Sequence, residues 1–318
     1  MADLSVTFAG HRLRNPVMSA SGCGGCGPEL HRFFDVSGLG AVVTPSVTAS
    51  PRAGGGVPRL LETPAGLVWD SGLPNPGVDA FAARDLAWLR SVGATVIASV
   101  AGSTSSEYSE VVERLGASES FDCVLGVELN LSVPNESTAG RAFDEDALAA
   151  ATVVGRVRGQ LPRDIAVLAK IAVDATDLVA VAAACVEAGA DALTIGNGAR
   201  GLALDVGPPL GGSVWVAGRV SGPATRPLAL LAVRRVHEVM LARRLRTVPI
   251  IGVGGVGSAR DALEFLVAGA TAVQVGSATF GDPTAPARVR DELSRMCDSW
   301  GHPTLAAALS RAAGAPPP

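Results

Sequence analysis

Eight short apolar runs, rich in β-branched residues, recur along this 318-residue chain, and longer amphipathic stretches separate them. The runs span residues 17–20, 41–44, 95–100, 124–130, 165–171, 192–196, 249–253 and 272–275. Helical periodicity falls between them, near 28–36, 78–92, 105–115, 145–160, 176–188, 227–245 and 259–268. Strands that alternate with helices pair in parallel through right-handed crossovers. The runs are apolar at successive positions, as strands buried on both faces are. Two units repeat a local pattern. Glu187-Ala188-Gly189-Ala190-Asp191-Ala192 leads into Leu193-Thr194-Ile195-Gly196, and Val267-Ala268-Gly269-Ala270-Thr271-Ala272 leads into Val273-Gln274-Val275-Gly276. Each reads as a helix stopped by a left-handed glycine, then a strand. An open doubly wound sheet shares this signal, but eight strands in this length favour a closed α/β fold, the (β/α)8 TIM barrel. A short N-terminal β-hairpin and loop insertions account for the remaining length. With no linker or break of composition, one domain is expected over 1–311 and a disordered tail over 312–318.

Composition removes several functions. The chain is 48% hydrophobic and 18% charged, with a net charge of -4. It can fill a large core and carries no basic field for nucleic acid. Residues 1–10 alternate polar and apolar, unlike a signal peptide, and no run approaches the roughly 18 apolar residues of a membrane span. Five scattered cysteines do not form a disulfide framework, which fits a reducing cytoplasm. Among 26 Lys and Arg residues, Lys170 is the single lysine. An ammonium kept against so strong an arginine bias points to a role that a guanidinium cannot fill.

In a barrel, chemistry gathers where the strands end. The first strand leads into Ala20-Ser21-Gly22-Cys23-Gly24-Gly25-Cys26-Gly27. Such small residues let the backbone approach a flat ligand, though a plain turn would also use them. Gly252-Val253-Gly254-Gly255-Val256-Gly257-Ser258 lies at the seventh strand end and Gly276-Ser277 at the eighth. Glycine turns at these two ends form the usual barrel phosphate site. Asn130-Leu131-Ser132-Val133-Pro134-Asn135 follows the fourth strand. Its asparagines can offer donor and acceptor to a planar heterocycle, or simply make an Asx turn. Gly196-Asn197-Gly198 follows the sixth strand, and Lys170 ends the fifth. A cation there could stabilise negative charge on a bound ring or form a Schiff base. Cys23 and Cys26 make a CxxC without a second ligand pair. Structural small residues are the favoured reading, a redox pair the next, and a metal site the last.

Together these residues resemble the dihydroorotate dehydrogenase family, its soluble class 1 branch in particular. The likeness runs from Asn15-Pro16 to Asp282-Pro283. It includes Gly72-Leu73-Pro74-Asn75-Pro76-Gly77, Glu128-Leu129-Asn130, Ser221-Gly222-Pro223 and Pro249-Ile250-Ile251-Gly252-Val253-Gly254-Gly255-Val256. The resemblance implies FMN as cofactor. By that likeness Ala20, Ser21 and Gly22 line the flavin ring, Ser99 lies on the cofactor side, and Lys170 sits by the N1/C2 edge. Asn130 and Asn197 touch flavin and substrate. Gly222, Gly254, Gly255, Gly276 and Ser277 hold the phosphate side. Asn75, Asn135 and Trp69 fall at substrate positions.

The departures are selective. The family's catalytic loop carries Cys or Ser as general base where this chain has Val133. A lysine after the second strand is Pro45, a substrate-binding Asn is Trp69, an Asn ending the third strand is Ser99, and a Thr or Ser after the sixth-strand Asn is Gly198. Losing a base costs a factor of about 10² to 10⁴. Losing a partner of a buried carboxylate costs about 2–5 kcal/mol. The expectation is an FMN-dependent oxidoreductase that passes hydride between flavin N5 and a small planar ring other than dihydroorotate. Trp69 would be a stacking wall, and Asp70 or Ser132 a substitute proton carrier, although a solvated loop role for Asp70 is the plainer reading. The alternatives are a genuine dihydroorotate dehydrogenase with an unusual base and a catalytically silent flavin-binding protein. Class 1 likeness also implies a homodimer and, in some members, a second electron-transfer subunit with FAD and an iron–sulfur cluster.

Overall fold

The structure, a computed structural model, describes residues 2–136, 140–205, 214–242 and 244–313. It opens with a hairpin, β1 (Val6–Phe8) antiparallel to β2 (His11–Leu13). β3 (Val17–Ser19) and β4 (Val42–Val43) begin the barrel, and β5 (Leu60–Thr63) with β6 (Gly66–Trp69) form an inserted hairpin. β7 (Val96–Val100), β8 (Val124–Asn130), β9 (Ala166–Ala172) and β10 (Ala192–Asn197) continue it. β11 (Arg200–Asp205) and β12 (Val214–Ser221) are a second insertion, and β13 (Ile250–Val253) and β14 (Ala272–Val275) complete the set. Eight strands form one parallel sheet in the order β3-β14-β13-β10-β9-β8-β7-β4. A parallel bridge between Met18 and Ala41 joins its two ends, so the sheet closes. The eight strands coincide with the eight runs read from the sequence.

Local chemistry explains why the elements start and stop where they do. Thr104 accepts from the amide of Glu107, Asp146 from Leu148 and Ala149, Asp177 from Ala180, and Ser258 from Asp261. These side chains satisfy amides that a first helical turn leaves open. Gly269 caps its helix in the left-handed region, as the repeat pattern requires. The first expected helix is shorter than its pattern: Pro28–His31, then a separate turn at Val36–Gly38. The last helix runs to Ala313, two residues into the segment expected to be disordered, and 314–318 lie outside the described residues.

Of four buried clusters among the described residues, two make up most of the core. One cluster lies between strands and helices. The other fills the barrel, where Met18, Ile97, Leu168 and Ile251 meet Phe8 and Leu13 of the hairpin. Phe8 is fully buried, a gain of about 1.5–3 kcal/mol for a side chain of that size. The hairpin thus plugs the barrel, and the residues that follow the strands are left to line the open mouth. Over that mouth the two insertions pair with each other as a four-stranded antiparallel sheet, β11-β12-β6-β5. The insertions were expected, but this sheet was not.

One glycine couples the fold to the mouth. Strand β10 slips register between Ile195 and Asn197, as a bulge does when it re-aims the next side chain. Gly196 sits there at φ 133, and a Cβ on it would collide with the carbonyl oxygen of Val253. Asn197 then donates to Asn130 Oδ1 at 3.0 Å. Gly196→Ala is therefore expected to destabilise the protein by about 1–3 kcal/mol and to weaken flavin retention with it. Denaturant unfolding and flavin absorbance after gel filtration check both effects.

Candidate active site

The barrel mouth holds three adjoining cavities. The inner one, about 430 Å³, is lined by Ala20, Ser21, Lys170, Asn197 and the glycine turns at 222, 254–255 and 276, with Ser277. A second, about 350 Å³, shares Ser21, Lys170 and Asn197 with the first and adds Gly22, Pro45 and Asn130. An outer one, about 940 Å³, is lined by Asp70, Asn130, Ser132 and Val133. Trp69 lines all three. Both smaller cavities have the size of an ordinary small-molecule site.

Lys170 organises the floor. Its side chain is 5% exposed, and Nζ donates to Glu128 Oε1 and Gln274 Oε1, each at 3.1 Å. Glu128 is fully buried, and its other oxygen accepts from Thr194 Oγ1 at 3.0 Å and Gln274 Nε2 at 2.8 Å. Four strands, β8, β9, β10 and β14, contribute one member each. A buried ion pair survives only when its donors and acceptors find partners; here both Glu128 oxygens are paired and two of the three ammonium donors are used. The ammonium still reaches the walls of both inner cavities.

Behind the ring-side wall runs a polar chain. Ser99 Oγ bonds Ser46 Oγ at 3.0 Å, Asn130 Nδ2 donates to Ser46 Oγ at 3.1 Å, and Asn197 joins through Asn130. Ser99 itself is fully buried and lines none of the three cavities. Asn75 also stands back: it accepts from the amides of Thr48 and Gly77 and donates to Leu73 O, which fixes its own loop. Asn135 is buried at the base of its loop, where its amide bonds Arg141 O. Asp70 is exposed on the outer rim, and its Oδ1 accepts from the Gly72 amide. The cysteine pair consists of free thiols. Burial pushes Cys23 up to about 11 and Cys26 up to about 12, so neither is held as a thiolate.

Besides Glu128, Thr194 and Gln274 around Lys170, two further residues at the site were not singled out as site residues from the sequence. Ser221 ends β12 and lines both inner cavities, yet its buried Oγ has no hydrogen-bond partner among the described residues. Such an orphan calls for a ligand. Its place in Ser221-Gly222-Pro223 was the available signal. Asp144, 1% exposed, accepts from Ser132 Oγ. In sequence it is the first of three consecutive acidic residues, Asp144-Glu145-Asp146.

These residues fit FMN. Gly255, at φ 70, has no room for a Cβ, which would stand 2.9 Å from Gly222 O and 2.8 Å from Arg226 Cβ. Backbone alone can line that wall, as a phosphate cradle requires. Ser221 offers the unpaired hydroxyl, and Lys170 the buried cation for a ring that gains charge. Lys170→Met should cost about 3–5 kcal/mol, because it strands the Glu128 carboxylate. Adding Glu128→Gln should recover most of that loss while flavin reduction stays slow. Chemical denaturation and anaerobic reduction, run on both variants, check the two halves.

Comparison with known proteins agrees with this geometry. A family model described as dihydroorotate dehydrogenase matches residues 3–297. The chain is 44% identical over 283 residues to a dihydroorotate dehydrogenase B (NAD(+)) catalytic subunit of Geotalea daltonii, covering 89% of each. Its counterpart in Citrifermentans bemidjiense is 42% identical over 293 residues and 92% of each chain. That of Trichlorobacter lovleyi is 42% identical over 297 residues and 93% of each. The chain is an oxidoreductase and belongs to the dihydroorotate dehydrogenase family.

Proposed function

We propose that this chain is an FMN-dependent oxidoreductase that oxidises or reduces a CH–CH or CH–NH bond of a planar ring other than dihydroorotate. The observation that carries the reading is Val133. It occupies the family's base position, is 7% exposed, and packs into the main hydrophobic cluster while lining the outer cavity. A valine cannot carry a proton. Pro45, in the family's lysine position, lines the second cavity as an uncharged wall. Arg59 lines that cavity too, but Nε is given to Gly55 O at 2.8 Å and Nη2 to Ala53 O at 3.1 Å. Trp69 presents a flat indole to all three spaces, suited to stacking on a ring.

Bound FMN supplies the two-electron acceptor. The chain's residues bind and orient: Asn130 and Asn197 offer amide donors and acceptors, Lys170 a charge, and Trp69 keeps water from one face. The same reading takes residues 1–311 as one FMN-binding domain of a cytoplasmic homodimer. The relatives' designation as catalytic subunits supports a second, electron-transfer subunit. No helix among the described residues is long and apolar enough to cross a membrane.

A second reading, dihydroorotate oxidation itself, is favoured by the names of the relatives and by the retained Asn130–Asn197 contact. The test is anaerobic reduction of the yellow holoprotein by dihydroorotate, beside Pro45→Lys/Val133→Cys. The restored variant is expected to bleach at least about 10²-fold faster. Equal rates, or rescue of a pyrimidine auxotroph by the unaltered gene, would establish the second reading instead. A colourless protein that fails to take up FMN would defeat both.

A further inference from the structure

We propose that Ser132 and Asp144 form a proton relay that replaces the missing base at position 133. The proposal rests on the oxidoreductase reading above and names its proton path. Ser132 is half-buried and lines the outer cavity beside Asn130, Asn197 and Trp69. Its Oγ donates to Asp144 Oδ2 at 2.5 Å. The same carboxylate oxygen accepts from the Ala172 amide at 2.9 Å. The loop folds back on itself to make this contact. The amide of Asp144 bonds Leu131 O at 3.0 Å, that of Phe143 bonds Val133 O at 3.3 Å, and Pro134 bridges Ala142. Asp144 is thereby locked beneath Ser132, with the serine between it and the cavity.

A serine hydroxyl accepts a carbon-bound proton only if its own proton can leave. Asp144 is the acceptor in place. In dehydrogenation, the substrate C–H proton passes to Ser132 Oγ while the serine proton passes to Asp144. The neighbouring carbon gives its hydride to the flavin, and the C–H electron pair becomes the new ring double bond. One proton rests on Asp144 and two electrons on the cofactor, so the step balances. Burial raises Asp144 above the usual carboxylate range, against the opposing pull of the Ser132 and Ala172 hydrogen bonds. Arg219, which donates to Ser132 O at 3.3 Å, also opposes the rise, and Asp174 adds to it. Tyr108 and Cys185 face the same carboxylate from their helices, both with protons held on by burial. A more basic, buried carboxylate suits a group that must take a proton and later release it.

The test is anaerobic single-turnover mixing of the FMN-loaded protein with two saturated pyrimidine rings, dihydroorotate and dihydrouracil, followed by flavin absorbance across the acid and neutral range. The unaltered protein should bleach faster as pH rises through the Asp144 titration, because the relay needs the carboxylate. Ser132→Ala and Asp144→Asn should each slow bleaching by about 10²-fold or more, and the double variant little further. Asp144→Asn should also abolish the acid limb while leaving Tm at neutral pH unchanged or higher, since it removes a buried charge. Val133→Cys added to Asp144→Asn should restore bleaching with its limb moved toward the thiol range. Variants that keep the parental rate and pH profile would overturn the relay and leave the flavin reading standing. Loss of Tm and FMN together, without rescue by the thiol, would assign the pair a structural role. If neither ring bleaches the unaltered holoprotein, the relay falls for saturated pyrimidines, whereas the flavin reading is decided separately by whether the protein takes up FMN.

Discussion

The buried pair of Lys170 and Glu128 is the constraint around which the mouth is arranged. An ammonium and a carboxylate taken from water lose several kcal/mol of hydration each. Their attraction offsets that loss only with good geometry and no spare valence. Here Gln274 bridges the pair and Thr194 closes the second carboxylate oxygen. The four side chains come from four strands of one closed sheet, so none can move without disturbing a ladder. A pair of apolar residues would fill the same space at lower electrostatic cost. What the ionic arrangement adds is a fixed positive charge at the walls of two cavities. That is a functional return on a structural expense, and it explains why one lysine persists among so many arginines.

The antiparallel cap serves the same mouth from above. In its central strands Trp69 pairs with Arg219, and Trp69 also faces Leu60 across the next ladder. The indole therefore hangs from a hydrogen-bonded platform, not a free loop. Charges tie that platform to the barrel rim. Arg200 and Arg219 both reach Asp174, and Arg200 also reaches Glu145. Arg219 further donates to Gly198 O and Ser132 O, which links β12 to the turn after Asn197 and to the loop that carries Ser132. The substrate cavity is thus bounded below by barrel residues and above by inserted ones. The insertions bear on the inner spaces too, since Trp69 of β6 lines all three cavities and Ser221 of β12 lines the two inner ones.

Legibility in the sequence followed burial. The barrel strands were readable because both faces are covered: every residue of β7 and β9 is buried, so the runs are continuous and β-branched. The cap strands were not, because they are mostly half-buried or exposed, with Val68 and Val216 the buried residues of β5, β6 and β12, among polar and small residues that resemble loop. Thr63-Pro64-Ala65-Gly66 did carry a hairpin signal, a proline-initiated turn ending in glycine. The glycines and Lys170 of the site were visible by position after strands. Asp144 was not, since its meaning depends on a fold-back that brings it under a residue twelve positions earlier. Sequence shows three acidic residues in a row, and only packing decides that the first is buried.

The selective pattern of change follows from where each residue sits in this scheme. Gly222, Gly254, Gly255 and Gly276 line the inner cavity, where a side chain would take up its volume. Position 133 lies at the outer cavity on a loop whose other face joins the main core. A valine there adds a buried methyl to the loop's packing relative to Cys or Ser, about 0.8 kcal/mol. It removes only the proton carrier. The loop keeps its fold-back ladder, its asparagines and a serine one residue earlier that already touches a buried carboxylate. Residues 132 and 133 both line the outer cavity, so under the proposed relay proton transfer moves by one residue along the loop while Lys170, Asn130 and Asn197 keep their places. On the proposed reading, proton chemistry and substrate change at the outer cavity while the glycine turns and Lys170 of the inner one are retained.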